Sequence, residues 1–244
     1  MAEIAPQVSS NVKALMLDFD IIAHNMANVS TAGYKRRVNG FAATLDAQMA
    51  QATGATSPNV TVHMAVDFSQ GPLEQTERSL DFAIQGKGFF VLETPEGLRY
   101  TRNGTFSTDA TGQLVTSEGY LVAGKDVSPI LIPRTVDIRQ LQVTPEGSIS
   151  HDGVVLGALR IEDFGEVENQ LQPVGASMFI APSGLTGTTL DDAVVMQGFR
   201  ESSNVKIVEE LVGMITVSRL YEANMRFLSA RKDLGASLMS VAMG

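Results

Sequence analysis

Seven apolar residues near the start of the chain, Val8, Val12, Leu15, Phe19, Ile22, Met26 and Val29, follow one another at alternating intervals of four and three. That spacing keeps one face of an α-helix apolar for three heptads and predicts a helix–helix contact of the coiled-coil kind. Asn28-Val29-Ser30-Thr31-Ala32-Gly33 then brings turn formers, and Gly33 supplies a position at which a helix ends.

The far end repeats the pattern at greater length. Residues 204–241 hold no proline, and Gly213 and Gly235 are their only glycines. One stripe runs through Ile207, Leu211, Met214, Ser218, Tyr221, Met225 and Leu228. A second runs through Val217, Leu220, Asn224, Phe227, Arg231, Leu234, Leu238 and Val241. As a helix, some 38 residues at about 1.5 Å each reach roughly 57 Å. The two terminal helices could close on each other within one monomer. The longer one carries two seams, however, and the surplus apolar surface argues for an interface.

Between the ends the chemistry changes. Residues 53–199 carry 17 of the 22 glycines and eight of the nine prolines. They also carry eighteen acids against eight bases, a balance of −10, while residues 1–52 sum to zero and 200–244 to +1. Short apolar runs such as Asp81-Phe82-Ala83-Ile84 and Gly88-Phe89-Phe90-Val91-Leu92 alternate with Asn103-Gly104, Asp152-Gly153 and two Pro-Glu-Gly turns at 95–97 and 145–147. These are the marks of hairpins in an antiparallel sheet. The stretches 50–62 and 182–189 read as linkers.

Composition narrows the function. Among 244 residues there is no cysteine, hence no disulfide frame, thiolate metal site or cysteine nucleophile. A net charge of −9 opposes a sequence-wide grip on nucleic acid or an anionic membrane. No apolar run approaches the ~18 residues needed to span a bilayer. The opening Met1-Ala2-Glu3-Ile4-Ala5-Pro6 lacks a basic segment followed by an apolar one, which leaves a cytosolic protein or the client of a signal-less export route as the expectation.

No catalytic constellation emerges. Asp20 and His24 share a helix face and Asp18 stands nearby, but no further ligand completes a metal site, and a solvated face accounts for them better. Gln85-Gly86-Lys87-Gly88 lacks the rest of a phosphate loop and precedes a strand instead of opening a helix. Lys35-Arg36-Arg37 suits the end of a helix, where cations are favoured. Ser150 beside His151 makes no triad. No catalytic residue, metal or cofactor is therefore expected.

The segment 17–35, Leu-Asp-Phe-Asp-Ile-Ile-Ala-His-Asn-Met-Ala-Asn-Val-Ser-Thr-Ala-Gly-Tyr-Lys, closely resembles the N-terminal signature of bacterial flagellar rod and hook proteins. Leu80 to Phe90 resembles the central motif of that family, and Tyr100 to Ser107 resembles the hairpin that follows it. Gln197 to Val205, with Tyr221-Glu222-Ala223-Asn224, resembles its C-terminal signature. On these motifs the residues carried over are Asn25, Asn28, Gly33, Tyr34, Lys35, Gly86, Gly88, Asn103, Gly104, Gln197, Gly198, Asn204, Glu222 and Asn224.

The resemblance implies a non-enzymatic subunit of the basal-body rod, most like the proximal rod protein, with a distal rod or hook-type axial subunit as the alternative. It implies copies of the chain, other rod proteins and hook-side axial proteins as partners, and delivery by the flagellar type III export apparatus. Outside the family, a soluble oligomeric binding module fits the same pattern. The expected fold is α+β: long N- and C-terminal helices pairing in a coiled-coil-like helical domain, with a central, mostly antiparallel β domain. The expected division is 1–34 for the first helix, 35–70 for a connecting segment, 71–198 for the β-rich outer domain and 199–244 for the last helix. Expected subunit contacts are Val8, Val12, Leu15, Phe19, Ile22 and Met26 on the first helix. On the last they are Ile207, Leu211, Met214, Tyr221, Met225 and Leu228.

Overall fold

A computed structural model describes residues 4–41, 62–126 and 129–243. All but Val62 of the linker expected at 50–62 lies outside the described residues. The chain divides into two compact units. One comprises Met1–Ala27, Arg37–Ala65 and Lys206–Gly244; the other comprises Asn28–Arg36 and Val66–Val205.

The second unit is built of strands around Phe89–Thr94. Phe90 and Leu92 of this strand join Phe82, Ile84, Phe106, Ile149 and Ile161 in the larger core. Phe89 and Val91 join Tyr100, Phe164, Leu171 and Phe179 in the smaller one. A strand with both faces buried has no solvent side, so Phe89-Phe90-Val91-Leu92 reads as a continuous apolar run instead of an alternation. The smaller core is aromatic. Phe89 has Phe68 and Phe179 at centroid distances of 5.7 and 5.8 Å, and Tyr100 meets Phe164 edge-on at 4.8 Å.

The main sheet has the spatial order Gln172–Val174, Met178–Ile180, Gly97–Thr101, Phe89–Thr94, Leu121–Val122, Leu114–Val115, Ser107–Thr108. Ile161–Asp163 pairs with Phe89–Thr94 and with Thr188–Thr189, so the stretch expected as a linker at 182–189 ends in a strand. A separate three-stranded sheet takes Gln142–Val143, Ser148–His151 and Val154–Ala158, turning at the second Pro-Glu-Gly and at Asp152-Gly153. Phe82–Gln85 pairs with Val194–Gln197, and Leu73–Gln75 with Phe199–Glu201, closing the two ends of the unit on each other. Gly104 makes this closure possible. A Cβ there would stand 1.9 Å from the Phe82 carbonyl oxygen, where the Phe82 N–H donates to the Gly104 carbonyl at 2.9 Å.

The first unit holds helices α1, Ile4–Ala27, and α2, Ile207–Met243. Glu209 and Glu210 occupy the first turn of α2, where carboxylates oppose the helix dipole favourably. These helices correct the expected fold class. The described chain is mostly β, with eighteen strands, a shorter N-terminal helix of 24 residues and one C-terminal helix. The helices do not zip together as a coiled coil. They do touch: Ile22 lies over Gly213, where an added Cβ would meet its Cδ1 at 3.3 Å, and Val217 is buried nearby. Phe19, Ile207, Leu211 and Met225 remain exposed. The physical reason is that a four-three spacing fixes which side of a helix is apolar without fixing that a neighbour follows it along its length.

Tyr100 gives the β unit a distinctive alkaline response. Burial, reinforced by the Glu162 carboxylate that takes a hydrogen bond from it, pushes the phenol up from 10.0 to about 12. The folded unit therefore holds this proton more tightly than the unfolded chain. The contribution is intact below pH 10 and is lost as pH rises toward 12. Denaturant titrations of wild type and Tyr100→Phe should show a stability difference that shrinks across this window. A difference constant from pH 8 to 12 would contradict the assignment.

Candidate functional site

The family-motif residues of the β unit converge on a buried ionic clasp. The Lys35 and Glu201 side chains are 0% and 1% exposed. Lys35 Nζ donates to Glu201 Oε1 at 2.7 Å, to the Ser69 carbonyl at 2.7 Å and to the Phe68 carbonyl at 3.3 Å. Glu201 Oε1 also accepts from the Gly71 N–H at 3.0 Å. Arg102 reaches Glu201 Oε2 at 3.5 Å, donates to the Gly86 carbonyl at 2.7 Å, and holds its guanidinium 5.0 Å from the centre of the Phe89 ring. Burial pushes the Lys35 ammonium below the ordinary lysine range, while Glu201 pulls it upward. Burial lowers Arg102 as well, again against Glu201.

Around the clasp, glycines and amides fix the backbone. The Gly33 N–H donates to the Glu201 carbonyl at 2.8 Å. Gly33 has φ +67° and backs onto Asn103, whose N a Cβ would approach to 2.2 Å, so it answers to both conformation and space. Tyr34 beside it is buried. Asn204 accepts from the Arg36 N–H at 2.6 Å and donates to the Asp67 carbonyl at 2.9 Å and the Ser69 carbonyl at 3.1 Å. Gln197 donates to the Ser79 and Leu141 carbonyls, both at 3.0 Å, and accepts from the Val143 N–H at 3.2 Å. The Gly198 N–H donates to the Asp81 carbonyl at 2.8 Å. Asn28 caps its own turn, its carbonyl accepting from the Thr31 N–H at 3.1 Å, and Asn103 accepts from the Thr105 N–H at 3.0 Å. Gly86 and Gly88 flank Lys87 between two strands, and Gly88 is packed against Ile161.

The helical unit has one such amide of its own. Asn25, fully buried, donates to the Arg37 carbonyl at 2.9 Å and accepts from the Arg37 N–H at 2.8 Å, substituting for a neighbouring strand. Asp18 accepts from Asn39 at 2.5 Å, which gives it a structural partner. Among the described residues no group of three His, Cys, Asp or Glu is placed to hold a metal ion.

The expected contact residues fall into three kinds. Ile22 is buried. Val12, Leu15, Met26, Met214, Tyr221 and Leu228 are half-buried, and Phe19, Ile207, Leu211 and Met225 are exposed. The Val8 side chain lies outside the described ones. Glu222 is exposed beside Arg226 at 3.7 Å, and Asn224 donates to the Leu220 carbonyl at 2.8 Å. Leu15, Phe19, Val217 and Tyr221 wall a groove of about 600 Å³ between the helices. Sequence reasoning missed Arg102 and Glu201, whose only signal is a charge inside an otherwise small or apolar motif. It also missed Val208, Val212 and Ile215, exposed on α2 and legible as a further four-three stripe.

Residues 83–151 match the family described as "Flagellar hook protein FlgE/F/G D1 domain", and residues 196–241 match "Flagellar basal body rod FlgEFG protein C-terminal". The flagellar basal-body rod protein FlgG of Buchnera aphidicola subsp. Schizaphis graminum is 32% identical over 255 residues, covering 92% of this chain and 94% of its own. The flagellar basal-body rod protein FlgF of Caulobacter vibrioides is 32% identical over 236 residues, with 93% of each chain covered. The FlgG of Agrobacterium fabrum is 32% identical over 258 residues, covering 95% and 96%.

Breaking a buried pair leaves an uncompensated charge behind, which costs about 3–5 kcal/mol. Lys35→Met and Glu201→Gln should each destabilise the folded chain by about that much in urea titrations. The double variant Lys35→Met with Glu201→Gln, which removes both charges of the pair together, should lose much less than the sum of the single losses. Strict additivity would show that the two groups are not coupled.

Proposed function

The chain belongs to the flagellar basal-body rod protein family, and on that premise we propose how it works as a subunit of the rod. It is a structural component of the flagellar basal body that assembles with other rod or hook proteins. In our reading it polymerises through its helical unit, together with further copies of itself, into the hollow driveshaft that carries torque from motor to hook. Its role is mechanical and non-catalytic, and the flagellar type III export apparatus delivers it. Among the described residues, no helix is long and apolar enough to cross a membrane.

The observation that carries this reading is the open apolar face of the helical unit, where Phe19, Ile207, Leu211 and Met225 are 41–47% exposed. Each such side chain, once covered by a neighbouring subunit, contributes on the order of 1.5–3 kcal/mol. Many of these contacts in parallel resist shear, as a rotating shaft requires. Residues 53–199, most of which lie in the β unit, carry a balance of −10, which suits a solvated surface.

Within the rod we place the chain in the proximal segment. Its length supports this place. The alignment to the FlgF relative runs over 236 residues, whereas those to the FlgG relatives run over 255 and 258 for nearly the same share of this chain, and so open more gaps in it.

Phe19→Asp and Leu211→Asp, each introduced in place of the native gene, should abolish rod incorporation and motility. The purified variants should keep the β signature of wild type in far-UV circular dichroism. Normal swimming and basal bodies containing either variant would refute the helical-unit assignment.

A further inference from the structure

An apolar groove between α1 and α2 and an apolar stripe on the outer face of α2 are both left open, and one molecule cannot bring them together. The groove of about 600 Å³ is walled by Leu15, Phe19, Val217 and Tyr221, with Asp20 and Glu222 at its rim. One to three turns nearer the start of α2, Val208, Val212 and Ile215 form a stripe at intervals of four and three. They are 68%, 59% and 54% exposed, more so than the residues of the seams read from the sequence. One further step of four along the same stripe stands Arg219, also exposed. The stripe therefore runs apolar for roughly 10 Å and ends in a cation. The groove is apolar with carboxylates at its edge.

We propose that the Val208–Val212–Ile215 stripe of one copy seats in the α1/α2 groove of the next copy, with Arg219 meeting Asp20. This rests on the rod-subunit reading and specifies which surfaces meet. Stripe and groove share one continuous helix, so the stripe cannot fold back into its own groove. The occupant must be a second chain. Because donor and acceptor surfaces differ, the contact is heterologous, and each copy that docks presents a fresh groove or a fresh stripe. Such a contact propagates without a two-fold axis, as a filament requires. Charge supports a second copy as occupant, since the exposed cation that ends the stripe, Arg219, and the carboxylate on the α1 wall of the groove, Asp20, both stand on this same chain.

The absence of cysteine makes the pairing directly testable by disulfide trapping, because introduced thiols report only on themselves. The full-length double variant Phe19→Cys with Val212→Cys, oxidised at concentrations where wild type sediments as oligomers, should give a ladder of dimers, trimers and higher species. Each single variant should stay monomeric on a non-reducing gel. Met16→Cys with Ile215→Cys serves as a second pair, and far-UV circular dichroism establishes that each variant is folded like wild type. Adding Arg219→Glu should lower the ladder yield several-fold, and further adding Asp20→Arg should restore it.

Dimers from Val212→Cys alone would overturn the proposal, because they show that α2 faces pair symmetrically. So would the absence of a ladder from both double variants while those variants still enter rods, a result that leaves the rod-subunit reading standing. Failure of the rod reading itself is distinguishable, since wild type would then neither associate nor enter the rod.

Discussion

Lys35 and Glu201 lie 166 positions apart in sequence, yet their charges meet at 2.7 Å with their side chains essentially shut off from solvent. An ammonium and a carboxylate are tolerated at that depth only when every neighbouring group is placed to satisfy them. The carbonyls of Phe68 and Ser69, the N–H of Gly71 and the guanidinium of Arg102 must all arrive together. The clasp therefore acts as a register device for the β unit: segments 28–36, 66–71, 102 and 201 have one arrangement in which no charge is stranded. Hydrophobic burial supplies most of the driving force, and the ions select among the ways of burying it.

The same logic of exact polar satisfaction recurs at Asn25, Gln197 and Asn204. Each amide takes the place of a missing backbone partner, accepting from one N–H and donating to a carbonyl. Motif residues that resemble a family signature thus hold the backbone in place. The apolar surface of the helical unit behaves differently. It is left open, and in the proposed assembly a neighbouring subunit covers it. A subunit built to polymerise needs both properties: a unit whose shape is fixed before assembly and a face whose burial waits for it.

Much of this was legible in the residues. The turn chemistry of Asn103-Gly104, Asp152-Gly153 and the Pro-Glu-Gly sequences marked hairpins, and the Phe89-Phe90-Val91-Leu92 run marked a strand, whose burial on both faces only the structure shows. The four-three spacing located both helices, but it misled on their partnership. Ile22 packs against Gly213 while Phe19 and Leu211 stay open, a division that periodicity cannot express because all three obey it. The clasp was half legible. Lys35 stood out in a motif, whereas Glu201 and Arg102 passed unremarked inside two others, and nothing local marks a charge that will be buried by segments far away in sequence.

The sequence by itself determined the local elements and the family, because apolar period, turn residues and motif identity are properties of neighbouring positions. Tertiary structure alone decided which charges are buried, which apolar stripes are covered and which are left for a neighbour. Those outcomes depend on the approach of distant segments, where the free energy of desolvation is set by everything that surrounds a group and not by the group's own place in the chain.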